Sequence, residues 1–231
     1  MSRLHTVIRV QLVGWQATLG WPLLLLALIF ALNYALFAAI GGDIEGGPKT
    51  GAVISIYIMM FIQSINWITQ LFPFTLAMSV LRRTFYAAIT VLVLVQAVVF
   101  GVMLFLANLV ERATDGWGLS MRFFGFGFID QDNPLLQVAV YAAPFVLLNF
   151  LGIFIALYYK RWGLNGMYGL TAAGVVVLGG GAVLLSWQRG WGTIWNWLAD
   201  QPTALVFAGW PAVIALVLAG AGFLTIRRVT P

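Results

Sequence analysis

The stretch WPLLLLALIFALNYALFAAI, residues Trp21–Ile40, contains no charged side chain. Twenty residues of α-helix rise about 30 Å, the thickness of a bilayer's hydrocarbon core. The run Leu23-Leu24-Leu25-Leu26 does not alternate, so a strand of a membrane β-barrel is a poor fit. A basic N-terminus precedes the run and small residues (Ala38, Ala39) end it, as in a secretory signal. It is too long for the usual signal core, and further apolar runs follow, so it reads as a retained span.

Beyond it, five more runs of similar character appear, at about 52–76, 87–110, 135–159, 167–187 and 204–226. Pro134 and Pro202 stand at or just before span starts, where a missing N–H costs little. Pro73, Pro144 and Pro211 fall within or near spans, where membrane helices absorb them as kinks. The longest connection, 111–134, leaves no room for a soluble domain, so 1–231 reads as one membrane domain. The composition agrees. Of 231 residues, 62% are hydrophobic and 8% charged, against about 25% charged in a soluble domain. The chain has no cysteine and one histidine, His5, which excludes disulfides, thiolate metal sites and multi-histidine centres.

The few charges sort by side. Arg3, Arg9, Arg82, Arg83, Lys160, Arg161, Arg227 and Arg228 fall on one side, with no acidic residue. Lys49, Arg112, Arg122 and Arg189 fall on the other, among Asp43, Glu45, Glu111, Asp115, Asp130, Asp132 and Asp200. Lysine and arginine mark the cytoplasmic side, so both termini are expected inside. The net charge of +5 is thus a topology signal that suits anionic lipid, and it gives no reason to expect nucleic-acid binding. No ionisable residue lies well inside a span, which argues against ion-coupled transport. The chain also lacks a G-x-x-x-x-G-K-[ST] phosphate loop, and Gly46-Gly47-Pro48-Lys49-Thr50 does not supply one. Energy for active transport must come from another polypeptide. The chain is therefore expected to be no enzyme and to hold no cofactor of its own.

Several segments are functional candidates. In residues 1–18, Leu4, Val7, Ile8, Leu12 and Trp15 share a helical side opposite Arg3, Thr6, Arg9 and Gln16. This fits a helix lying in the inner interface, either an anchor or a partner contact. The inner loop Met78-Ser79-Val80-Leu81-Arg82-Arg83-Thr84-Phe85-Tyr86 sets two arginines beside aromatic and aliphatic groups, just after Phe72-Pro73-Phe74. It reads as a topological charge pair or as a short docking element. On the second span Gln63, Asn66 and Gln70, flanked by Ser64 and Thr69, share one helical face, for interhelical bonding or a substrate path. Gln96, Gln137 and Asn149 are isolated, and helix packing is the expectation for them. Gly169 with Ala173, Ala215 with Ala219, and Gly179-Gly180-Gly181 are small-residue surfaces for close packing within the chain or between chains. The triple glycine also admits a helix break. Trp191, Ile194, Trp195 and Leu198 share a face of a segment expected to dip into the outer leaflet or to form a plain aromatic belt. The 111–134 loop, with Phe123, Phe124, Phe126 and Phe128, could lie on the membrane or cap an outer exit.

The inner loop resembles the Ser-Arg-Arg-x-Phe coupling element of small permeases of bacterial ABC-2-type exporters. The core Arg82-Arg83-Thr84-Phe85 matches, and Leu81 stands where the family has serine or threonine. The expected topology is similar over the whole chain: an all-α membrane protein with an N-terminal interfacial helix, six spans and both ends inside. The resemblance implies a multi-pass protein of the bacterial inner or plasma membrane. It implies docking of the loop between spans two and three on separate cytoplasmic ATPase subunits, which would bind ATP and Mg. It makes Ser79, Arg82, Arg83, Thr84 and Phe85 coupling candidates. It also implies a second permease chain, identical or homologous, with Gly169, Ala173 and Gly179–Gly181 as candidate interface, since such permeases pair through the first and fifth spans. The implied cargo is a drug, a peptide antibiotic or a lipid. A membrane scaffold or assembly factor, and an ATP-independent carrier or channel, are the rival expectations.

Overall fold

The computed structural model describes residues 19–40, 50–125 and 129–227. The interfacial helix expected over residues 1–18 therefore lies outside the described residues. So do the glycine-rich turn through Lys49, Phe126, Phe128 and Arg228. The described chain is helical, without a β-strand. In order it comprises α1 (Trp21–Ile40), α2 (Ile54–Asn66), α3 (Phe72–Ala77), α4 (Arg82–Ala113), α5 (Pro134–Trp187), α6 (Trp191–Ala199) and α7 (Trp210–Ile226). Among the described residues five helical stretches are long and apolar enough to cross a membrane: Trp21–Ile40, Ile54–Ala77, Arg82–Ala113, Pro134–Trp187 and Leu205–Ile226.

The count differs from the six expected runs because the fourth and fifth lie in one stretch, α5, in which two helical parts meet at a kink. A connection over 160–166 was expected, yet only Gly163 departs from helical geometry, at φ 63° and ψ −159°. That conformation is open to glycine alone. The chain bends sharply there. A Cβ on Gly166 would collide with Trp162 and lie 3.3 Å from the ring of Tyr158, eight residues earlier. In an uninterrupted helix eight residues span about 12 Å. Each part of α5, 134–162 and 164–187, exceeds the roughly 20 residues that cross a bilayer.

Two prolines are accommodated by the same device. A π-helical turn, Trp67–Leu71, joins α2 to α3 two residues before Pro73. A second, Leu205–Gly209, precedes Pro211 in α7 by the same spacing. A proline ring clashes with the carbonyl four residues back, here that of Thr69 or Phe207. Widening the turn that holds this carbonyl relieves the clash and keeps the backbone bonded, as hydrocarbon requires.

The core divides into two clusters. One gathers Phe72, Phe85, Tyr86, Ile89, Phe150, Ile153, Leu157, Ala215 and Ile226. It lies where α4 begins and α7 ends, beside Arg82, Arg83, Arg161 and Arg227. We call this the basic end. The other gathers Ile56, Met60, Phe100, Leu104, Met121, Phe123, Phe124, Tyr141 and Phe145, where α2 begins and α4 ends. This is the acidic end. Close helix approach depends on Gly101, against Ala142, and on Gly152, against Ser64 and the Phe61 carbonyl. A side chain at either would force the helices apart. The glycines singled out in sequence behave differently. A Cβ placed on Gly169, Gly179, Gly180 or Gly181 would meet no atom within 4 Å, Ala173 is exposed, and the triple glycine does not interrupt α5.

Candidate functional site

At the basic end, α3 stops at a left-handed cap. Ser79 takes φ 58°, its N–H bonds to the Leu76 carbonyl at 2.9 Å, and the Val80 N–H bonds to the Thr75 carbonyl at 3.1 Å. This closure spends the last free carbonyls of α3 and turns the chain in four residues. Leu81 is then extended and forms the N-cap of α4 without any side-chain hydrogen bond. Serine or threonine is favoured at an N-cap because its oxygen accepts a free N–H of the first turn. Leu81 leaves this capping position without a side-chain acceptor, which costs helix-capping energy.

Arg82 and Arg83 are the first two residues of α4, whose first turn has no acidic residue. The helix dipole is positive there, so two cations are locally unfavourable by about 0.3–1 kcal/mol each. Arg83 is exposed and Arg82 half-buried, and neither has a salt-bridge partner among the described residues. Phe74, Met78 and Leu81 are 55%, 53% and 56% exposed around them. Phe85 points the other way. It is fully buried, with its ring centroid 5.1 Å from that of Phe72, and it pins α4 to α3. Thr84 is half-buried. The turn therefore presents two guanidiniums and three apolar side chains, and its exposed aromatic ring is Phe74, Phe85 being buried.

The three amides of the second span separate. Gln63 accepts from Gln96 Nε2 at 3.1 Å, linking α2 to α4. Asn66 ends α2 and Gln70 lies in the π-helical turn, and both are exposed. The π-helical turn widens the helix between Asn66 and Phe72, so the 3.6-residue period does not run unbroken through Gln70. Ser64 is buried and bonds back to the Phe61 carbonyl at 2.7 Å.

The acidic end holds a feature that spacing did not reveal. Glu111 is 3% exposed at the end of α4. Its Oε2 accepts from the backbone N–H groups of Phe123 and Phe124, both at 2.9 Å, and from Trp117 Nε1 at 3.3 Å. Its Oε1 accepts from the Gly125 N–H at 2.9 Å. One carboxylate thus gathers a loop in which Asp115, Gly116, Trp117, Gly118 and Ser120 all have positive φ. Arg112 Nη2 pairs with Asp130 Oδ1 at 2.6 Å. Phe30 of α1 stacks on this loop, 4.9 Å from Trp117, 5.2 Å from Phe123 and 5.7 Å from Phe124. A cavity of about 240 Å³ lined by Asn108, Glu111, Arg112 and Arg122 lies beneath it. Residues Trp191–Ala199 form α6, a nine-residue helix with every side chain exposed.

Among the described residues no group of three or more potential metal ligands occurs. No protein-family model, curated protein or solved structure matches the chain. What the molecule itself establishes is an all-helical chain with five helices long and apolar enough to span a membrane.

Proposed function

We propose that this chain is the membrane subunit of an ATP-driven exporter of the ABC-2 type, a multi-pass protein of the bacterial plasma membrane. In this reading the break at Gly163 is a reversal, the chain crosses six times, and the basic end with both termini faces the cytoplasm. Separate ATPase subunits bind ATP and Mg, and they dock at the turn Met78–Arg83. A second permease chain, identical or homologous, completes the path. The cargo is amphipathic or hydrophobic, such as a drug, a peptide antibiotic or a lipid, because the spans hold amides but no charge that would retain an ionic solute. Asn66 and Gln70 are the path candidates, and Gln63 serves packing through Gln96. The exposed face carrying Gly169, Ala173 and Gly179–Gly181 suits a neighbouring helix in the assembly.

The observation that carries the reading is the placement of Arg82 and Arg83 at the positive end of a helix dipole, with three exposed apolar side chains around them. A residue pair that breaks a local rule calls for a compensating gain. An acidic groove on a soluble partner supplies one through bidentate carboxylate contacts and apolar burial. Motion of such a partner would pass through the short α3 into α2 and through Phe85 into α4.

The test is co-purification with a candidate ATPase, followed by ATP hydrolysis in proteoliposomes. The R82A/R83A chain is expected to insert normally and to lose both association and stimulated hydrolysis. Retention of both contradicts the coupling role. Recovery of no ATPase at all favours a scaffold, and transport without ATP favours a carrier or channel.

A further inference from the structure

A second set of cations at the basic end is arranged differently from the Arg82–Arg83 turn. Arg161 closes the first part of α5, and Arg227 follows the last residue of α7. Together with Leu224 and Thr225 they line a cavity of about 420 Å³, a size typical of small-ligand sites. Each guanidinium rests on an aromatic ring, Arg161 at 4.2 Å from Trp162 and Arg227 at 5.8 Å from Phe223. Stacking restricts these side chains before any ligand arrives, so less freedom is lost on binding. Neither has a salt bridge among the described residues. The chain's seven acidic residues lie at 43–45, 111–132 and 200, none of them near Arg161 or Arg227 in sequence. Two like charges lining one cavity, with no Asp or Glu paired to either among the described residues, suit an external anion.

We propose that this cavity binds a phosphate group through Arg161 and Arg227. A guanidinium presents two N–H donors in a fork that matches two phosphate oxygens. Leu224, 62% exposed, gives the cavity an apolar wall. The Thr225 hydroxyl is already committed to the Ala221 carbonyl at 2.8 Å and leaves recognition to the arginines. Two sources offer this chemistry, the headgroup of an anionic phospholipid and free phosphate. The proposal does not depend on the transport reading, since either membrane face supplies phosphate.

The full chain, delipidated in a neutral detergent, is titrated with phosphatidylglycerol or phosphatidylcholine and followed by native mass spectrometry. A parallel titration uses inorganic phosphate alone. The expected result is a preference for phosphatidylglycerol that R161Q or R227Q lowers about tenfold, the effect of losing one charge-assisted contact. R189Q, at the other end of α5, leaves the preference unchanged. R161K and R227K keep the charge but lose the fork; they are expected to fall in between, and they decide the matter should a glutamine variant fail to fold. Displacement of the lipid by millimolar phosphate assigns the site to free phosphate, and resistance to it assigns the site to the headgroup. Binding of both probes that is indifferent to Arg161 and Arg227 overturns the proposal.

Discussion

The two ends of the molecule are built on opposite plans. At the acidic end the chain answers its buried charge from within: Glu111 accepts four N–H groups, and beside it Arg112 pairs with Asp130. At the basic end Arg82, Arg83, Arg161 and Arg227 have no carboxylate of the described chain as partner. Both ends carry aromatic clusters of similar size, so packing does not explain the contrast. A loop whose carboxylate is answered by four donors of its own chain is finished as a structure. An end whose guanidiniums have no carboxylate is prepared for something outside the chain.

Substitutions should therefore act on stability at one end and on partners at the other. The largest stability effect is expected at Glu111. E111Q keeps the shape, removes the charge and turns an NH₂ group toward donors already facing the site. A loss of roughly 3 kcal/mol is expected from breaking a buried, charge-assisted network. Unfolding in mixed micelles would measure it, and a change under about 0.5 kcal/mol would mean that the loop is held by its aromatic stack alone. At the basic end L81S should stabilise by about 1 kcal/mol, because serine would cap the free N–H groups of α4. It should leave ATPase association intact, since Leu81 is only one of three apolar contacts. G179A should be neutral or stabilising by about 0.5–1 kcal/mol in the isolated chain, where a Cβ meets nothing. Weakened self-association in a crosslinking assay would identify that face as an interface. The smallest stability effect is expected for R83E, a gain of about 0.3–1 kcal/mol from placing an acid at the helix N-terminus. The same change should abolish partner association, separating stability from function at a single residue.

Much of the fold was legible because bilayer thickness and hydrocarbon chemistry leave few choices. Trp21–Ile40 matches its helix residue for residue, and Pro134 begins α5 behind the Asn133 side chain, which accepts the Leu135 N–H at 2.9 Å. The divergences have specific causes. The connection expected over 160–166 is reduced to one non-helical residue, Gly163, because Lys160 and Arg161 are compatible with helix and one glycine suffices to bend the chain. The π-helical turn that holds Gln70 has no signature in a 3.6-residue pattern, although a proline two residues beyond such a turn occurs twice. The packing glycines proved to be Gly101 and Gly152, isolated in sequence, rather than the conspicuous run at 179–181. Small residues permit close approach but do not say which neighbour comes close. At the candidate site the arginine pair was legible from charge alone. The burial of Phe85 and the role of Leu81 as an uncapped helix start needed the turn geometry. Glu111 carried no pattern, since its four donors come from a loop whose backbone conformation only three-dimensional closure defines.

The contrast between the ends stands or falls on whether an external ATPase attaches at the basic one. ATP hydrolysis by the co-reconstituted ATPase, compared between the native chain and R82A/R83A at matched insertion, decides it. Stimulation with the native chain and its loss with the variant are the expected results. Equal stimulation by both would refute attachment through these arginines.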